Sequence, residues 1–174
     1  MIADSEPAVL DLDAPPPPSL DAAAAARPAS PSFHDGHGVH PTCFGCGQLP
    51  ESAGTLRIAA APVEVEGHRL VAGTWRPGPT FAEGDGSVRP QWVLAALDCP
   101  GAFAFIVDDI GAGLLGRITF EQRGEVRADD EHVVTGWQIG REGRKLLAGT
   151  ALFTAAGELL AMASAVWFPF PSRP

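Results

Sequence analysis

Residues 90–107 constrain the fold more than any other part of this 174-residue chain. Trp92, Val93, Leu94, Ala95, Ala96, Leu97, Phe103, Phe105 and Ile106 leave the stretch apolar on nearly every side, and Asp98 is its single charge. Pro90 suits the first turn of a helix, where its missing N–H is not needed. A helix with no polar face has to be buried from several directions. The flanking segments supply the cover. Leu56, Ile58 and Ala60, then Val63 and Val65, alternate; Leu70, Ala72 and Thr74 alternate against Val71, Gly73 and Trp75. That spacing predicts two strands turned at Gly67-His68. Residues 114–126, 132–140, 146–154 and 159–168 read as four more strands, with hairpin turns at Glu142-Gly143 and Ala156-Gly157. The order β-β-α-β-β-β-β predicts an α+β domain: an antiparallel sheet of about six strands wrapped around one long central helix.

Composition narrows the possible partners. Hydrophobic residues make up 45% and charged residues 19%, a globular balance, and the net charge of −9 repels nucleic-acid phosphates and anionic lipid. No run approaches the roughly 18 apolar residues that cross a bilayer. The opening MIADSEPAVLDLD has no basic start before an apolar core, so no secretory signal is expected. Three cysteines, Cys43, Cys46 and Cys99, make an odd set with a tight C-x-x-C, which points to a reducing, cytoplasmic location. Residues 1–38, with four prolines at 15–18 and five alanines at 22–26, read as a disordered acidic tail, flexible at least over 1–32. The folded domain is then 39–174.

Three segments carry a family resemblance. Cys43-Phe44-Gly45-Cys46-Gly47, followed by Gly54-Thr55-Leu56-Arg57-Ile58, looks like a CFxCG opening joined to a GLRL strand. Arg89-Pro90-Gln91 through Ala96-Leu97-Asp98 matches a helix start with an acidic residue nine positions on. Glu142-Gly143-Arg144-Lys145, then Gly149-Thr150-Ala151-Leu152, matches a late hairpin. Together they resemble the hot-dog thioesterase superfamily, in its branch related to phenylacetyl-CoA thioesterases, over about residues 40–170. Where that family starts its helix with His-Gly-Gly, this chain has Arg89 and Gln91. The resemblance implies binding of an acyl thioester of coenzyme A or of a carrier protein. It also implies a homo-oligomer, a dimer or dimer of dimers, whose sheets join edge to edge.

Asp98 is the sharpest candidate for chemistry. A buried carboxylate has to be paired, protonated or used. Pro100 and Gly101 weaken the helix beside it. In thioester hydrolysis such a group activates water or attacks the thioester directly. Gln91 is placed to orient thioester or water, and Arg89, beside Pro90, to hold an acidic group or pair with Asp85. Gly101 is assigned to the substrate-binding wall. Arg144 and Lys145, the only lysine, suit the phosphates of coenzyme A or phosphopantetheine. His34, His37 and His40 with Cys43 and Cys46 offer enough donors for zinc. They show only one cysteine pair at ligand spacing, so a packing role without metal is expected. Cys99 reads as a small buried hydrophobe, and no cofactor is implied. None of the five histidines lies in the helix, which argues against a hot-dog dehydratase, and there is no GxSxG elbow. Two functions stand: hydrolysis through Asp98, or a catalytically silent acyl-thioester binder or structural partner.

Overall fold

The computed structural model of the chain describes residues 6–36, 39–48 and 54–169. Six strands form one antiparallel sheet: β1 (Ala61–Val65), β2 (His68–Trp75), β3 (Leu114–Gln122), β4 (His132–Glu142), β5 (Lys145–Thr154) and β6 (Leu159–Phe168). Their order is β1-β2-β4-β5-β6-β3, so β1 and β3 are the two edges. The alternation predicted from the sequence is realised across the sheet. Val71, Val134, Leu152 and Ala163 face one layer, and Ala72, Val133, Ala151 and Met162 face the other. The first hairpin turns one residue earlier than expected, at Glu66 and Gly67, which both take positive φ (50° and 80°) as a primed turn requires. Residues 56–60 do not join β1. Instead Leu56 and Ile58 donate their N–H groups to the carbonyls of Phe44 and Gly45, at 2.9 and 2.8 Å.

The central helix lies on the inner face as two pieces, α2 (Pro90–Ala96) and α3 (Asp98–Ile106), meeting at Leu97. Pro100 has no N–H to give the Ala96 carbonyl, so the break falls where the sequence predicts a distortion. α3 presses closely on the sheet. A Cβ at Gly136 of β4 would sit inside van der Waals contact with the Pro100 carbonyl oxygen. Phe103, Leu97 and Val93 are fully buried between helix and strands. This is the hot-dog arrangement, with a sheet curled around a central helix.

The expectation of a flexible tail over residues 1–32 is corrected for the part described. Residues 20–26 form α1 (Leu20–Ala26), capped by the Ser19 hydroxyl, which accepts from the Ala22 N–H at 3.2 Å. α1 packs on β1 and β2 on the outer face of the sheet. Ala23 is fully buried, and Leu10, Leu12, Ala14 and Leu20 cover Leu70, Ala72, Val133, Trp137, Phe153 and Met162. Polar links continue the attachment: Ser32 Oγ donates to the Ile58 carbonyl at 3.3 Å, and Arg27 donates to Gln48 Oε1 at 3.0 Å. Composition misleads here because the proline run is already extended before folding, so docking it orders few extra degrees of freedom. Alanines fill a shallow layer that larger side chains would overfill. Deleting residues 1–32 should therefore uncover this apolar face and cost on the order of 4 kcal/mol, or roughly 10 °C in melting temperature. Thermal unfolding of the truncated and full chains checks this, and an unchanged melting point would mean that the segment contributes nothing.

Candidate functional site

The break between α2 and α3 puts Asp98 in the first turn of α3, with its carboxylate turned into the wall of a cavity of about 480 Å³. Val39, Ala102, Phe103, Leu115 and Trp167 give the cavity apolar walls, and His40, Cys43, Asp98 and Cys99 give it chemistry. Asp98 Oδ1 is buried without a hydrogen-bond partner. Burial, reinforced by the negative charge on the Cys43 sulfur, pushes its carboxyl up to about 6. No ion pair among the described residues includes it.

A loop that crosses the helix break builds one side of the site. Cys43 and Cys46 lie on it, and the Gly47 N–H closes a turn on the Cys43 carbonyl at 2.8 Å. Gly45 is required by proximity, because a Cβ there would lie 2.9 Å from Cys99 Sγ. Phe44, the residue between, packs on Trp92 and Phe81 with ring centroids 5.5 and 6.2 Å apart. The CFxCG motif is thus a clasp. Its aromatic grips α2, and its small residues let its sulfurs reach the start of α3. Cys43 Sγ lies 3.6 Å from Cys99 Sγ, and all three thiols are free. Hydrogen bonds from the Cys46 and Cys99 thiols hold the Cys43 thiol well below its usual range. The same contacts and burial push Cys46 and Cys99 up.

The other sequence candidates separate. Arg89, Pro90 and Gln91 are exposed at the start of α2 and do not line the Asp98 cavity. Arg89 pairs with Glu83, Nε to Oε1 2.6 Å, and not with Asp85. Asp85 Oδ1 instead accepts from the Ser87 N–H and hydroxyl at 2.9 and 2.6 Å, a local turn that explains the Gly-Asp-Gly-Ser loop. Gly101 is buried against the sheet rather than lining the cavity. A Cβ there would lie 2.9 Å from Trp167 Nε1, so its smallness serves helix–sheet packing. Arg144 and Lys145 stand exposed at the β4–β5 hairpin beside Arg141. The register sets Leu146 opposite Trp167, and Trp167 opposite Leu115, so the hairpin tip lies at the end of the sheet that borders the cavity. Of the proposed zinc donors, His37 and the side chain of His34 lie outside the described residues, while His40 lines the cavity.

Sequence reasoning missed Cys43 and His40 as neighbours of Asp98. The C-x-x-C spacing signalled a special loop, but nothing in the sequence says which part of the helix that loop crosses. It also treated Cys99 as inert filling, whereas Cys99 faces both the cavity and the other two thiols.

No protein-family model matches the chain, and no curated protein sequence is similar to it. The likeness lies in structure. A thioesterase superfamily protein superposes with a TM-score of 0.66 at 16% identity, over 80% of this chain and 66% of that one. The E. coli PaaI protein from the phenylacetic acid degradation operon superposes at 0.55 and 11%, over 63% and 82% of the two chains. A Streptococcus pneumoniae hypothetical thioesterase with coenzyme A superposes at 0.54 and 12%, over 60% and 81%. With the strand order and the broken central helix, these superpositions identify the chain's fold as the hot-dog fold of thioesterase-superfamily proteins.

Proposed function

We propose that the chain hydrolyses an acyl thioester, of coenzyme A or of a carrier protein, with Asp98 as general base or nucleophile. The observation that carries this reading is a buried, unpartnered carboxylate oxygen in the wall of an apolar cavity. A structural acid in such a place would be paired with a cation or fully hydrogen-bonded. As base, Asp98 takes a proton from water while the water oxygen attacks the thioester carbon. The C–S bond then breaks and the thiolate leaves, taking up a proton. As nucleophile, the carboxylate attacks the thioester carbon and forms an anhydride as the C–S bond breaks and the thiolate leaves, taking up a proton. Water then opens the anhydride, releasing the acid and restoring the carboxylate. Phe103, Ala102, Leu115 and Trp167 would hold the acyl group, while Arg141, Arg144 and Lys145 would meet the phosphates beyond the cavity mouth. The solved neighbours that contain coenzyme A or acetyl-CoA support this ligand class. Three free thiols fit a reducing cytoplasm. No helix among the described residues is long and apolar enough to cross a membrane.

The exposed position of Gln91 and Arg89 favours the second reading, a binder without turnover, because neither stands by to orient water within one chain. A homodimer bears on this point. β3 is a nine-residue edge strand with Leu114 and Leu115 half-exposed, 50% and 40%, and the cavity opens beside it. The opposite edge, β1, has five residues and carries Pro62, which cannot donate to a further strand. We infer that two copies join through β3, closing the cavity between them.

Asp98→Asn keeps size and reach but removes charge and basicity. Thiol release from a panel of acyl-CoAs should fall by at least about 10²-fold, with melting temperature level or higher. Undiminished turnover would exclude a catalytic Asp98, and a loss of about 3 kcal/mol would mark it as a structural partner. Replacing Arg144 and Lys145 together by glutamate should raise KM about tenfold or more with kcat little changed, an effect that salt weakens. An unaltered KM would remove the hairpin from the binding site. Light scattering at micromolar concentration should give the mass of a dimer, and Leu115→Lys should shift it toward the monomer. A monomeric wild type would refute the β3 interface.

A further inference from the structure

The clasp loop and the start of α3 bring together three sulfurs that the thioester chemistry does not use. Cys43, Cys46 and Cys99 Sγ lie within 4.8 Å of one another, with one pair at 3.6 Å. Around a tetrahedral zinc with bonds of about 2.3 Å, ligand sulfurs stand about 3.8 Å apart. The spacing is therefore that of a ligand set and is too long for a disulfide bond. The set was invisible as such in the sequence because Cys99 is 53 residues beyond Cys46. Its assembly depends on Gly45, whose missing Cβ clears the approach to Cys99, and on the backbone turn that fixes Cys43 over Cys46. Two buried thiols and a half-buried one gain little from one another as hydrophobes, and their convergence needs a cause.

We propose that Cys43, Cys46 and Cys99 form a binding site for a thiophilic metal ion, zinc being the best match, with a fourth position open to the cavity. Cys46 is buried, while Cys43 and Cys99 form part of the cavity wall together with His40 and Asp98. Three protein ligands with one position left for water or a bound sulfur is the pattern of a reactive rather than a sealed zinc site. A divalent cation here would offset the thiolates and the Asp98 carboxylate, which share one buried region. This reverses the metal-free packing role expected from the lone C-x-x-C, because the structure supplies the missing third sulfur. The site stands independently of thioester cleavage.

The test uses the full chain, purified under reducing conditions without a histidine tag, with no substrate present. Elemental analysis after addition and removal of excess zinc should find close to one zinc per chain. Competition with a chromophoric chelator should show Cys46→Ser and Cys99→Ser each weakening the ion's hold at least about tenfold. Should those variants fail to fold, cobalt titration of the wild type gives the same answer, because thiolate ligation produces a near-ultraviolet charge-transfer band at one equivalent. Wild-type protein that retains no zinc and shows no such band overturns the site. So does full zinc retention by both serine variants, or a Cys43 disulfide in protein isolated anaerobically.

Discussion

Everything in this molecule hangs on how closely α3 can lie on the sheet. The Pro100 backbone rests where a side chain from β4 would otherwise stand, and Gly136 leaves it room. Trp167 of β6 closes over Gly101 in the same way from the next strands. This proximity buries Phe103 and Phe105 almost completely. At roughly 1.5–3 kcal/mol for each large apolar side chain removed from water, such contacts dominate the stability of the domain. Within this layer α2 and α3 are not one regular helix. Pro100 interrupts the hydrogen-bond ladder, and Asp98 is delivered into the break.

Placing a carboxylate there costs stability, as its upward shift to about 6 records, and burial is the larger cause. The chain bears that cost in a region otherwise held firmly. Phe44, Phe81 and Trp92 lock the clasp loop to α2, and backbone bonds from Leu56 and Ile58 tie it to the approach to β1. A braced surround with one unsatisfied carboxylate oxygen is the arrangement on which the proposed hydrolysis rests. It is also why the three sulfurs converge here: the loop that braces the break carries two of them, and the helix turn beyond it carries the third.

The outer face shows a second economy. One side of the sheet is covered by the central helix and the other by a segment that has a single short helix and little other regular structure. The Ala23 methyl and the partly buried leucines at 10, 12 and 20 suffice because the outer layer needs only shallow filling. Composition alone places such a segment among disordered tails, since prolines and alanines dominate it and large apolar side chains are few. What decides the matter is a complementary surface, on which few residues contribute well.

Strand periods, the all-round apolar helix and the turn residues were legible in the sequence, and they determined the α+β class and the six-strand sheet. Local spacing carries that information, because side chains alternate on a strand and recur every turn on a helix whatever lies opposite. Asp98 was legible too, as the one charge in a stretch that must be buried. Tertiary structure alone decided what surrounds it. Arg89 and Gln91, close in sequence, stand outside the cavity, while Cys43 and His40, more than fifty residues earlier, line it. Gly101 proved to serve packing, and the N-terminal segment proved to be docked. Each of these depends on contacts between residues far apart in the chain, which no local pattern encodes; they follow from how closely backbone can approach backbone once the sheet has curled around its helix.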